Sequence, residues 1–102
     1  MLDRIEQNLH QIAAICLRHC VKRLDLFGSA ASGHFDPTTS DLDFFVEFVA
    51  YDDPRIADHW FGLQEDLEEL LGCPIDLTSL RMAKDPIFLE SANRNKMTLY
   101  AA

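Results

Sequence analysis

Basic residues are scarce in this chain: nine Lys plus Arg stand against seventeen Asp plus Glu, a formal net charge of −8. No cationic cluster is longer than Lys22-Arg23, whereas a domain that grips a phosphate backbone carries a basic stripe. Direct nucleic-acid binding is therefore not expected. No apolar run approaches the roughly 20 residues of a membrane-spanning helix, and no basic-then-apolar leader follows Met1-Leu2-Asp3-Arg4, so no membrane association is expected. The cysteines number three, an odd count without disulfide-like spacing, which points to the reducing cytoplasm. With 102 residues and no repeat or low-complexity stretch, the expectation is one domain over 1–102. A separate acceptor-binding domain of roughly 100 residues has no room here, so a large acceptor would have to be met on a partner.

Periodicity orders the elements. Leu2, Ile5, Leu9, Ile12 and Cys16 recur at steps of three and four behind an Asp3/Glu6 capping pattern, which predicts one amphipathic helix over the first twenty residues. Cys16 and Cys20, beside His19, have the spacing of half a zinc site, but Cys16 lies on that apolar stripe and both read as core or helix-end residues. From Lys22 to Phe27 the period changes to two, with Leu24 and Leu26 opposed to Arg23 and Asp25; Asp41 to Val49 alternates likewise, with Leu42, Phe44, Val46 and Phe48 opposed to Asp41, Asp43, Phe45 and Glu47. Between them, Ala30 to Ser32 suits a short helical turn and His34 to Ser40 a loop. Asp52-Asp53-Pro54 reads as a helix start, Ile56, Trp60, Leu63, Leu67 and Leu70 as its stripe and Gly72 as its stop. Pro74 to Thr78 reads as a short strand, Asp85 to about Arg94 as a short helix and Met97 to Tyr100 as an edge strand. This order predicts an α/β (α+β) domain: a small mixed sheet of about four strands with helices on one face and the other face partly open.

Acids and a Gly-Ser turn mark the candidate site. Asp41 and Asp43 sit two apart on a strand, so their carboxylates point the same way with Cα atoms about 6.5 to 7 Å apart. Such a pair repels itself unless a cation intervenes, and its hard oxygens suit Mg²⁺ carrying a nucleotide's phosphates. Upstream, Phe27-Gly28-Ser29 ends a strand in backbone N–H groups and a hydroxyl with little steric cover, a suitable seat for phosphate. Asp76, on another short strand, supplies a third carboxylate suited to be a second-metal ligand and general base. Glu65, Asp66, Glu68 and Glu69 form an acidic cluster on the long helix, a solvated face or a dock for a basic partner.

Leu26-Phe27-Gly28-Ser29, Ser40-Asp41-Leu42-Asp43-Phe44-Phe45-Val46 and Pro74-Ile75-Asp76-Leu77 together resemble the Gly-Ser…Asp-x-Asp…Asp signature of the DNA polymerase β-like nucleotidyltransferase superfamily. The likeness is to its minimal (MNT) branch, antitoxins paired with HEPN-domain ribonuclease toxins, and extends through Asp85-Pro86-Ile87-Phe88-Leu89-Glu90-Ser91 to Leu99-Tyr100-Ala101-Ala102. The resemblance implies a polymerase β-like fold, Mg²⁺ as cofactor and transfer of AMP from ATP to a hydroxyl, typically a tyrosine, of the toxin encoded next to it. It assigns Asp41, Asp43 and Asp76 to metal and catalysis, and Gly28 with Ser29 to the β and γ phosphates. Hetero-oligomer formation with the toxin or self-association goes with it. Two features depart from the pattern: eleven residues, Ala30 to Ser40, separate the motifs where ten are usual, and Ser32 stands where many members have Arg. Arg81 or Lys84 would be the substitute cation. The alternative is a module that keeps the fold and neutralises its partner by binding alone; a small-molecule transferase is disfavoured by the lack of chain for an acceptor pocket.

Overall fold

The computed structural model describes residues 3–28, 42–79 and 96–102. Helices α1 (Asp3–Glu6), α2 (Leu9–Arg18) and α3 (Ile56–Leu71) accompany strands β1 (Val21–Phe27), β2 (Leu42–Phe48), β3 (Ile75–Ser79) and β4 (Met97–Ala101). The strands form one sheet in the order β3-β2-β1-β4. β1 runs antiparallel to both β2 and β4, whereas β2 and β3 are parallel, joined by a crossover that contains α3. The mixed four-stranded sheet and the α/β class are as expected. The short helical turn at Ala30 to Ser32 and the helix at Asp85 to Arg94 lie outside the described residues.

The alternation read from the sequence sets the core. Leu24 and Leu26 of β1 and Leu42, Phe44 and Val46 of β2 are fully buried, against Ile5 of α1, Ile12 and Cys16 of α2 and Leu63 and Leu67 of α3. Each such side chain contributes about 1.5–3 kcal/mol of transfer free energy. All three described helices thus pack on one face. Trp60 is half-buried against this cluster, its ring tilted on Phe48 at 6.1 Å, while its neighbour Phe61 is exposed. Burial pushes the Cys16 thiol up to about 12, so it behaves as a small hydrophobe; Cys20, with φ of +58°, is exposed at the helix end. Neither reads as a zinc ligand.

Two local expectations are corrected. The first helix is two: the backbone turns after Glu6, where Asn8 N–H reaches the Ile5 carbonyl at 3.1 Å and the Asn8 side chain donates to the Arg4 carbonyl at 2.6 Å. An Asn that bonds back to the preceding turn competes with helix continuation. α3 begins at Ile56, because Asp53 closes a turn ahead of it by accepting from Arg55 N–H at 2.8 Å; it ends as expected at Gly72, whose φ of +70° is the left-handed conformation of a helix stop. The second face of the sheet is partly open, as expected: it is exposed at Asp76 and closed at its centre. Asp25, Phe27 and Phe45 are buried there, and the two rings stack at 4.1 Å. A face carrying two large aromatic rings gains too much by leaving water to remain exposed.

The acidic cluster of α3 is partly consumed by the fold. Asp66 accepts from His19 Nε2 at 2.7 Å and pairs with Arg18 at 3.2 Å, and Glu68 accepts from Ile75 N–H at 3.3 Å. The His19 hydrogen bond, ahead of the charges of His19 and Arg18 and opposed by burial, holds the Asp66 carboxyl below its ordinary range. A carboxyl depressed in the folded state stabilises above its unfolded value and loses that contribution as pH falls through the folded one. Asp66→Asn is therefore expected to lower the melting temperature at pH 7, with the gap to wild type closing as pH drops from about 5 toward 3. A gap that stays constant in that range would show that the carboxylate's charge plays no part.

Candidate active site

The register of the sheet assembles the site. Phe27, the last residue of β1, pairs with Asp43 of β2, and Asp43 pairs with Asp76 of β3. Neighbouring strands lie about 4.8 Å apart, and partners in a parallel pair present their side chains to the same face. Two predicted carboxylates from distant parts of the chain thus stand side by side. Asp43 is half-buried and Asp76 exposed, so the pair sits where the buried centre of this face gives way to solvent. Ile75, buried on the opposite face, anchors the strand that carries Asp76.

Gly28 lies beside the pair with φ of +73°, a conformation that disfavours any residue with a Cβ. A Cβ built there would stand 2.5 Å from Asp43 Oδ2. The carboxylate occupies the volume that any side chain at 28 would need. Glycine is thus favoured twice at one position, by the backbone angle and by the approach of Asp43. Gly28 and Asp43, one residue from each predicted motif, are brought together.

Ser29 and Asp41, the remaining predicted site residues, lie outside the described residues, as do Ser32, Arg81 and Lys84. Among the described residues no group of three His, Cys, Asp or Glu converges as a metal site; the site holds two of the three predicted carboxylates. Its donors are hard oxygens beside bare backbone, the kind of set that takes Mg²⁺, Mn²⁺ or Ca²⁺. Two residues on the same face had no signal in the sequence read alone, Asp25 and Lys96, whose Nζ lies 4.0 Å from Asp25 Oδ2. Pairing between β1 and β4 brings them together, which the spacing of 25 and 96 does not reveal. Tyr51 is structural: its hydroxyl accepts from Phe48 N–H and bonds Ser79 Oγ, both at 3.3 Å.

Residues 8–98 match the nucleotidyltransferase domain family. Among solved structures, a protein described as a minimal nucleotidyltransferase superposes with a TM-score of 0.72 at 30% identity, over 90% of this chain and 89% of that one. A toxin–antitoxin complex with AMP-PNP matches with a TM-score of 0.70 at 22% identity, over 93% of this chain and 74% of that one. A tri-AMPylated HEPN toxin in complex with MNT antitoxin, from Shewanella oneidensis, matches with a TM-score of 0.65 at 19% identity, over 96% and 73%. The last two identities establish likeness of fold. No curated protein sequence matches significantly.

Proposed function

The chain belongs to the nucleotidyltransferase domain family, and from that premise we propose that it transfers AMP from ATP to a hydroxyl of a partner protein, a HEPN-type toxin encoded beside it, and thereby acts as an antitoxin. The observation that carries this reading is the in-register pairing of Asp43 with Asp76 beside Gly28, whose backbone angle and approach to Asp43 favour glycine. Two neighbouring structures lend the partner and the nucleotide: one is a toxin–antitoxin complex with AMP-PNP, the other an AMPylated HEPN toxin with its antitoxin.

In this reading Asp41, Asp43 and Asp76 hold Mg²⁺. A divalent ion bound there supplies charge neutralisation for the triphosphate. The rest is done by the chain itself. Gly28 and Ser29 offer backbone N–H groups and a hydroxyl to the phosphates, fixing the α phosphorus for in-line attack. Asp76, the more exposed acid, is suited to take the proton of an acceptor hydroxyl. Incoming hydroxyl oxygen bonds to the α phosphorus, the bond to the bridging oxygen breaks, and pyrophosphate leaves. The acceptor half of the site comes from the partner.

Incubation with ATP, Mg²⁺ and the neighbouring gene product, followed by intact mass spectrometry of that product, tests the proposal. The expected result is a mass increase of one or more AMP groups. A partner that stays unmodified and is nonetheless inhibited would overturn transfer and leave neutralisation by binding alone.

A further inference from the structure

We propose that Lys96 binds the terminal phosphates of the nucleoside triphosphate, held in place for that task by the buried carboxylate of Asp25. The inference rests on the nucleotidyl-transfer reading and assigns it a residue that neither the motif nor its spacing identifies.

The sheet places Lys96 at the site. β4 pairs with β1 through Leu26↔Met97 and Asp25↔Thr98. One further step in that register sets Lys96 opposite Phe27, which itself pairs with Asp43, which pairs with Asp76. A single row therefore crosses all four strands at one end of the sheet: Asp76, Asp43, Phe27 with Gly28 behind it, and Lys96. Along it the side chains run acid, acid, buried aromatic ring, base, with Gly28 next to the ring. At about 4.8 Å per strand, Lys96 starts on the order of 10 Å from Asp43, on the far side of Gly28. The flexible four-carbon stem of a lysine covers part of that span. A chain of phosphates leaving a cation held by the acids and passing over Gly28 would meet an ammonium there.

Asp25 explains why that ammonium stays on this face. Its side chain is fully buried, Arg23 Nε donates to Oδ1 at 3.1 Å and lies 3.0 Å from Oδ2, and Oδ2 makes no hydrogen bond among the described residues. A buried carboxylate oxygen with an unused lone pair calls for a reason. Lys96 Nζ stands 4.0 Å from it, close enough for attraction and too far for a hydrogen bond, with the side chain 27% exposed. The ammonium is thus drawn over the site while its three donors remain available. Arg23 is differently engaged: besides Asp25, it donates to Thr98 Oγ1 at 3.2 Å. Lys96 is accordingly a phosphate-binding residue, and Asp25 a positioning residue that acts through it.

Calorimetric titration of the full chain with ATP and with AMP, in Mg²⁺ and without any partner protein, separates the outcomes. Lys96→Met is expected to weaken ATP binding about tenfold, the effect of one charge-assisted hydrogen bond, and to leave AMP binding unchanged. Lys96→Arg restores most of the ATP affinity. Equal ATP affinity in wild type and Lys96→Met overturns the inference, as does an equal loss for ATP and AMP, which would mark Lys96 as merely a counter-charge for Asp25. If Lys96→Met fails to fold, Lys96→Gln takes its place, and unfolding of both assigns Lys96 to the fold and overturns the inference. Wild-type protein that binds no ATP overturns the transferase reading beneath it; wild-type protein that binds ATP as tightly as the variant overturns the Lys96 role alone.

Discussion

Asp43→Asn is expected to reduce AMP transfer by about 10³-fold while the fold persists, a loss equivalent to about 4 kcal/mol of transition-state stabilisation. Asn keeps the volume of Asp and one oxygen acceptor, so the packing against Gly28 is preserved. What disappears is charge. In the folded protein Asp43 stands in register with Asp76, and Asn keeps the shape of the side chain there. The protein should therefore stay folded as activity falls. The pair of measurements is decisive: an Asp43→Asn protein with near-wild-type transfer would exclude Asp43 from the chemistry, and one that unfolds would make Asp43 a structural residue.

Gly28→Ala is expected to cost about 10²-fold in transfer by a different route. Two penalties arise at once. A residue with a Cβ at a φ of +73° is strained by about 1–2 kcal/mol, and the new methyl meets the Asp43 carboxylate at 2.5 Å. The backbone of two paired strands is the stiffer party, so the carboxylate swings aside. A displacement of about 1 Å at a reacting centre is enough to remove roughly two orders of magnitude in rate. Denaturant unfolding and the mass-spectrometric assay should then disagree in size: stability lowered by about 1–2 kcal/mol, activity by far more. Equal activity in Gly28→Ala and wild type would mean that Asp43 keeps its position, and the proposed cradle would be wrong.

Much of this was legible in the sequence because strands and ligands obey short-range rules. The two-residue alternation of Leu24 and Leu26 against Arg23 and Asp25, and of Phe44 and Val46 against Asp43 and Glu47, assigned both faces of the central strands as they occur. Gly28 and Asp43 were found by their motifs and do meet. What escaped was decided by pairing or by local competition. Phe45 was placed on the acidic face correctly, yet its burial depends on a cross-strand partner, Phe27, that periodicity does not supply. The break before Leu9 hinges on one Asn side chain bonding backwards, a choice that an apolar stripe running straight through it conceals. Lys96 carries no signal in the sequence, because only the β1–β4 pairing brings it beside Asp25.

The parallel pairing of β2 with β3 has a kinetic meaning. β1 and β2 are antiparallel neighbours, but a parallel partner demands a long crossover, here everything from Val49 through Pro74 including α3. Closing that loop costs chain entropy before any strand contact repays it, so β3 belongs to the high-contact-order part of the fold. Asp43 and Asp76 become neighbours only when this step is complete. A chain arrested short of it lacks the pairing of the two acids, and the proposed nucleotide chemistry is tied by topology to the arrival of the finished sheet.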